Sequence, residues 1–66
     1  MLKQHREKAR LTRKELADIA EVTPQAISNY ESGSRTPSLK VAIRIIEALR
    51  KRKVKVPISD LVPPSN

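Results

Sequence analysis

The chain has 66 residues, which is enough for one domain but too few to bury a large core. It contains no cysteine, so disulfides and thiolate metal sites are excluded, and its single histidine, His5, cannot build a zinc site alone. No apolar run approaches the roughly 20 residues that span a bilayer, and the start of the chain lacks the continuous apolar stretch of a signal peptide. We therefore expect a cytoplasmic protein.

The basic residues are unevenly distributed along the chain. Lysine and arginine outnumber aspartate and glutamate by 14 to 7, for a formal net charge of +7. They crowd into residues 3–14 and 50–55, whereas residues 15–34 contain none. This excess indicates a polyanionic partner, either nucleic acid or an anionic membrane surface, although a domain that is merely basic is the simpler alternative.

Two short helices are predicted in the first third of the chain. The first covers about residues 2–9 and has a thin apolar face. The second covers about residues 12–20, because Thr12 and Glu15 have the spacing of a capping box. Its apolar residues recur at helical spacing, so we expect one face of it to be buried.

A third helix is predicted over about residues 23–32. Thr23 suits the N-cap and Pro24 the first helical position, where its missing N–H has no cost. Gly33 suits the left-handed residue that ends a helix. The pattern also separates a polar face from an apolar one, which consists of Ala26, Ile27 and Tyr30.

The fourth predicted helix covers about residues 38–50 and has more apolar residues than one buried face requires. One stripe, which we expect to face the core, contains Leu39, Ala42, Ile43, Ile46 and Leu49. A second stripe beside it contains Val41, Ile45 and Ala48. This second stripe could pack on the C-terminal segment or against a second copy of the chain, and we favour the dimer.

The last segment, residues 51–66, has no single interpretation. It begins as a basic linker. The alternation in "KVKVPI" is typical of a short strand, whereas "PISDLV" could form one helical turn. The basic tract could be a phosphate-contacting arm, a dimer edge or a nuclear-localisation signal, and the first two are favoured. "PPSN" is expected to be a frayed tail of the same domain.

The second and third helices are joined by only "AEV", which is typical of a helix-turn-helix. The stretch "LTRKELADIAEVTPQAISNYESGSRTPS" resembles the Cro/Xre-type helix-turn-helix of phage and bacterial repressors, and the resemblance extends over about residues 2–49. It implies an all-α, five-helix, lambda-repressor-like domain, with at least the four helices above and a short extended C-terminal segment as an option. The third helix would enter the major groove of DNA, the docking for which Cro and phage repressors are standard examples.

The resemblance also implies roles for individual residues. Base contacts would come from the third helix, at Thr23, Pro24, Gln25, Ser28 and Asn29. Phosphate contacts would come from Arg13, Lys14, Ser34, Arg35 and Thr36. Arg6 and Glu31 match an ion pair that ties the first helix to the end of the third.

Three features depart from the family pattern. Glu21 stands where the turn usually has glycine, and His5 replaces a usual apolar residue. The tract "RKRKVK" resembles an insertion after Leu49, where the family normally has glycine and a short loop.

From these observations we expect a sequence-specific DNA-binding regulator. It would act as a homodimer on a palindromic operator, as a repressor, with double-stranded DNA as its partner. A DNA-binding antitoxin of a toxin pair and a protein-binding module on the same scaffold are the alternatives, and a protein antagonist or toxin partner is left open. Because the chain has no Ser/His/Asp order and no carboxylate pair placed for acid–base chemistry, we expect neither an enzyme nor a cofactor. A membrane-bound amphipathic helix is disfavoured, because Ile43 and Ile46 are expected to be needed for the core.

Overall fold

The computed structural model describes residues 2–62, which fold into four α-helices and one 3-10 turn without any strand. This confirms the predicted all-helical fold class, and the fifth element is a single 3-10 turn. The predicted tail, residues 63–66, lies outside the described residues. The elements are α1 (Leu2–Lys8), α2 (Arg13–Ala20), α3 (Pro24–Ser32), α4 (Leu39–Lys51) and the 3-10 turn Ile58–Asp60.

A hydroxyl residue caps the N-terminus of α2, α3 and α4. The side-chain oxygens of Thr12, Thr23 and Ser38 accept hydrogen bonds from the backbone N–H three residues later, at 3.0, 3.1 and 3.3 Å. At α2 the Glu15 carboxylate also accepts from the Thr12 N–H at 2.9 Å, which completes the predicted capping box. Three of the helix starts are therefore determined by local sequence.

Within residues 2–62, the chain adopts a left-handed backbone conformation at four helix ends. Gly33 (φ 83°) ends α3 as predicted, but the other three positions are occupied by Arg10 (φ 58°), Glu21 (φ 61°) and Lys53 (φ 63°). After each of these three, the next residue donates a hydrogen bond back to the carbonyl five residues earlier, which satisfies a free helix-end carbonyl. The next residues are apolar and packed in or against the core: Leu11, Val22 and Val54.

The core is one cluster in which all four helices take part, and its largest fully buried side chains are Leu16, Ile27, Ile45 and Leu49. On α4 the buried face differs from the predicted one. Ala42, Ile45, Ala48 and Leu49 are buried, whereas Leu39 and Ile43 are exposed and Ile46 is only partly buried.

This burial pattern corrects two predictions about α4. Ile43 is not part of the core, so the argument that the core requires it was wrong. Ile45 and Ala48 cannot form a dimer interface, because side chains that are already buried within one chain have no surface left to bury against another. Val41 is half-buried and packs against the core, so it offers little free surface. The buried side takes Ala42 and Leu49 from the first stripe and Ile45 and Ala48 from the second, so helical spacing alone does not identify the face that packs on α2.

The C-terminal segment folds back on the helices without forming a strand. Val54, Val56 and Leu61 are buried in the core, and the alternating Lys53 and Lys55 are exposed. Of the two alternatives for this region, the helical turn is the one present, as the 3-10 turn Ile58–Asp60. His5 Nε2 lies 3.0 Å from Asp60 Oδ2, so the polar residue in α1 contacts this turn.

Replacing Lys53 by glycine is expected to raise the free energy of unfolding by about 0.5–1 kcal/mol. In residues other than glycine, the left-handed conformation costs about 1–2 kcal/mol of stability. Relief of this strain is expected to exceed the loss of stability that glycine causes by increasing the conformational entropy of the unfolded chain. Lys55→Gly removes the same charge two residues later, outside the left-handed region. Lys55→Gly should therefore lower the free energy of unfolding measured in urea titrations. A gain of stability in both variants would contradict backbone strain at Lys53 as the cause.

Candidate nucleic-acid interface

The helices α2 and α3 pack against each other and leave one face of α3 open to solvent. The connection from Ala20 to Pro24 is short because Glu21 turns the backbone through its left-handed conformation. Ile27 is buried and Tyr30 packs against the core, which fixes α3 by its apolar side. The opposite face is therefore presented as a rigid surface at the side of the molecule.

All five predicted base-contacting residues lie on or beside this open face. Thr23, Pro24 and Gln25 are exposed, and Ser28 and Asn29 are half-exposed. None of these five side chains is charged at neutral pH. The face thus offers hydrogen-bonding groups and a methyl group but no cation.

Local contacts already use part of the hydrogen-bonding capacity of this face. The Thr23 hydroxyl oxygen accepts from the Ala26 N–H as the helix cap, so its O–H and methyl group remain for a ligand. Gln25 Nε2 donates to Asn29 Oδ1 at 3.1 Å, one helical turn away. Gln25 retains a free N–H and its carbonyl oxygen, which is the pair that adenine recognition requires. Asn29 retains both N–H groups but has one acceptor site fewer.

The predicted phosphate-contacting residues lie in the first turn of α2 and in the loop after α3. Lys14 and Arg13 lie in the first turn of α2, and both are exposed. Ser34, Arg35 and Thr36 lie in the exposed loop after α3. The Arg35 N–H donates to the Asn29 carbonyl at 3.2 Å, so the loop backbone is attached directly to the end of α3.

The Glu31 carboxylate lies at the centre of an ion-pair network that joins three helices. Arg6 Nε of α1 donates to Glu31 Oε2 at 2.6 Å, and Arg13 Nε of α2 donates to Oε1 at 2.8 Å. The Glu31 side chain is 5% exposed. Arg6 Nη1 also donates to the Leu11 carbonyl at 2.9 Å, which ties the network to the loop before α2.

The electrostatics of Glu31 follow from these contacts. Burial acts to raise the pKa of the Glu31 carboxyl, but hydrogen bonds and charges from Arg6 and Arg13 outweigh it, so the pKa is lowered from its ordinary value of 4.5. At the exposed end of α2, hydrogen bonds from Thr12 lower the pKa of Glu15, with a smaller contribution from the charge of Arg52. Both carboxylates therefore stay ionised in the neutral range.

Three contacts were not foreseen from the sequence. They are the Arg13–Glu31 bond, the His5–Asp60 contact, and a 3.7 Å approach of Arg44 Nη2 to Glu21 Oε2 between α4 and the turn after α2. Their partners are separated by 18 or more residues, and nothing in local spacing signals such pairs. The Arg13–Glu31 bond changes an expected role, because a guanidinium expected to contact phosphate is already paired with a carboxylate.

Comparison with known proteins identifies this arrangement. A family model described as helix-turn-helix matches residues 2–55. The chain belongs to the Cro/C1-type helix-turn-helix family. An uncharacterized HTH-type transcriptional regulator of Methanothermobacter thermautotrophicus is 38% identical to the chain over 55 residues, which cover 83% of this chain and 80% of that protein. No solved structure matches the chain significantly.

In this chain, α2 and α3 are the two helices of the helix-turn-helix, and Glu21 lies in the turn between them. In the described part of the chain, no group of three or more acidic, histidine or cysteine side chains could hold a metal ion. Across residues 2–62, none of the helices combines the length and the apolar character needed to cross a membrane.

Replacing Glu31 by glutamine should lower the free energy of unfolding at pH 7 by about 2 kcal/mol, because the nearly buried Arg6 guanidinium loses its carboxylate partner. Because the pKa of Glu31 is lowered in the folded state, its ionised form stabilises the fold above the ordinary value of 4.5. This stabilisation is lost as the pH falls below that value.

Urea titrations from pH 7 down to about pH 3 would measure both effects, since the stabilisation by the ionised carboxylate decreases as the pH falls below 4.5. Wild-type protein should lose stability on acidification more steeply than Glu31→Gln. The matched control is Glu7→Gln, at an exposed carboxylate of α1, which should stay within about 0.5 kcal/mol of wild type. Equal stability of Glu31→Gln and wild type at pH 7 would exclude a structural role for the network.

Proposed function

We propose that this protein is a sequence-specific DNA-binding transcriptional regulator whose α3 lies in the major groove of double-stranded DNA. The observation that supports it best is the uncharged amide and hydroxyl face of α3, held rigidly between exposed cations. Membership of the helix-turn-helix family and the similarity to a transcriptional regulator support the same function. Repression of transcription by occupancy of promoter DNA is the simplest mode of action for such a domain.

The absence of charge on the α3 face suits sequence recognition. A lysine or arginine is attracted to every phosphate, whereas an amide gains little from phosphate compared with water and gains most from a complementary base edge. Glutamine and asparagine pair with adenine through N6 and N7, and each good pair discriminates against the wrong base by about 1–3 kcal/mol. Gln25 is the first candidate for adenine, because its acceptor oxygen is free in the structure.

Phosphate attraction would come from the residues around α3. Lys14 in the first turn of α2 and Arg35 in the loop after α3 are exposed cations, and Ser34 and Thr36 add hydrogen-bond donors. Arg13 contributes less than a free guanidinium, because Glu31 neutralises part of its charge. Cationic contacts of this kind release counterions from DNA, so binding should weaken steeply with added salt.

A homodimer on a palindromic operator completes the proposal. One short reading helix contacts too few base pairs for a unique site, and a second copy doubles the sequence that is read. A two-fold dimer would place its two α3 helices about 34 Å apart, which is one turn of DNA, so the two half-sites would form an inverted repeat. The protomer dimensions of 33 × 23 × 19 Å are compatible with this spacing.

The direct test is a selection of random DNA duplexes by the purified protein, followed by sequencing of the bound fraction. An enriched inverted repeat would support sequence-specific binding by a two-fold dimer. Enrichment of a single asymmetric site would support binding without a palindrome. No enrichment at any salt concentration would refute the proposed function and would favour a protein-binding role.

Gln25→Ala is expected to weaken binding to the selected site by about 1–3 kcal/mol and to relax the preference at one base pair in each half-site. Asn29→Ala should have a related but smaller effect, because the Asn29 amide oxygen already accepts a hydrogen bond from Gln25. Arg35→Ala is the matched control: it should weaken selected and random duplexes equally and reduce the slope of affinity against salt. Fluorescence anisotropy at several salt concentrations measures the DNA affinity of all three variants. If Gln25→Ala still prefers the selected site over random duplexes as strongly as wild type, Gln25 does not recognise a base.

A further inference from the structure

The outer face of α4 exposes more apolar surface than a solvated helix requires. Leu39 is 59% exposed and Ile43 is 43% exposed, and Ile46 continues the same line, only partly buried. Steps of four and then three residues place these side chains in one seam along the helix, the spacing found between paired helices. Adjacent exposed apolar residues of this size mark an interaction surface more often than isolated ones do.

Charged residues beside this seam indicate which partner fits it. Lys40 lies three residues before Ile43 and Glu47 lies four residues after it, and both side chains are exposed. If a second α4 runs antiparallel across a two-fold axis near Ile43, Leu39 faces Ile46 of the other copy. Lys40 then faces Glu47 of the other copy, and the symmetry makes this pair twice. A parallel pair would instead place Lys40 and Glu47 of the two copies on opposite flanks of the seam, where neither ion pair forms.

We propose that this face of α4, the α4 seam (Leu39, Lys40, Ile43, Ile46 and Glu47), binds the same face of a second copy with the two helices antiparallel. The seam replaces the interface expected from Ile45 and Ala48, which are buried in the protomer core. The inference rests on the proposed function only for its biological setting, because the pairing of the two α4 helices requires no DNA.

Charge reversal tests the seam through its symmetry. In a Lys40→Glu homodimer, the introduced carboxylate would face Glu47 of the other copy at both contacts, and in a Glu47→Lys homodimer two lysines would meet twice. Each single variant should dissociate at least roughly tenfold more readily than wild type in equilibrium sedimentation without DNA. The double variant, Lys40→Glu with Glu47→Lys, restores opposite charges and should recover the wild-type dissociation constant to within about threefold.

Mixing the two single variants gives a sharper result. In an antiparallel heterodimer of Lys40→Glu with Glu47→Lys, one copy carries two carboxylates and the other carries two lysines, so both contacts join opposite charges. The mixture should therefore form dimers about as readily as wild type, although neither single variant does so alone. Failure to recover dimers on mixing would contradict the pairing of residue 40 with residue 47 of the other copy.

Apolar replacement supplies an independent test with a matched control. Ile43→Asp places a charge on the two-fold axis and should give monomers. Ile19→Asp makes the same change at a 48% exposed isoleucine of α2, outside the seam, and should leave the dimer intact. Circular dichroism establishes that both variants remain helical.

The proposal is overturned if wild-type protein is monomeric up to millimolar concentration, if the single charge variants dimerise like wild type, or if the double variant recovers nothing. These outcomes are distinct from failure of the proposed function. Gln25→Ala should keep the dimer while losing base preference, and Lys40→Glu should keep the base preference of α3 while losing affinity for the full operator.

Discussion

The nearly buried Glu31 carboxylate is the constraint on which the position of α3 depends. It accepts hydrogen bonds from Arg6 in α1 and Arg13 in α2 while belonging to α3 itself, so three helices meet at one acidic group. Ion pairs of this kind add little net stability compared with apolar packing, because both partners must be desolvated. Their directional hydrogen bonds do fix geometry, however, since an unpaired charge in this place would be costly. A small core of leucine, isoleucine, valine and alanine could tolerate a rotated α3, whereas this network cannot.

Charge is divided between surfaces with different tasks. The α3 face that is proposed to contact bases carries no charge, and the cations lie around it in the first turn of α2 and in the loop after α3. Glu31 neutralises part of the charge of Arg13, so this arginine also ties α2 to α3. If α3 contacts bases as proposed, this division separates selectivity, which comes from hydrogen-bond complementarity, from affinity, which comes from sequence-independent attraction to phosphate.

The helix α4 shows how one amphipathic sequence can serve two surfaces. Ala42, Ile45, Ala48 and Leu49 fill the core, and the remaining apolar residues form a seam on the outside. A helix of 13 residues whose apolar side chains extend well beyond one face is either fully buried or shared with a partner. At three helix ends, the left-handed positions are occupied by Arg10, Glu21 and Lys53, although glycine would adopt this conformation with less strain.

The sequence by itself determined the elements of this fold that depend on neighbouring residues. The caps at Thr12, Thr23 and Ser38 placed three helix starts, Gly33 placed one helix end, and the family motif located the polar face of α3. These features are governed by hydrogen bonds and steric limits within a few residues, so they can be recognised from spacing alone. Only the tertiary structure decided which apolar residues of α4 are buried, that Arg13 binds Glu31, and that His5 contacts Asp60. Each of these depends on the packing of elements far apart in the chain, because spacing within one helix does not show which of its sides a neighbouring element covers.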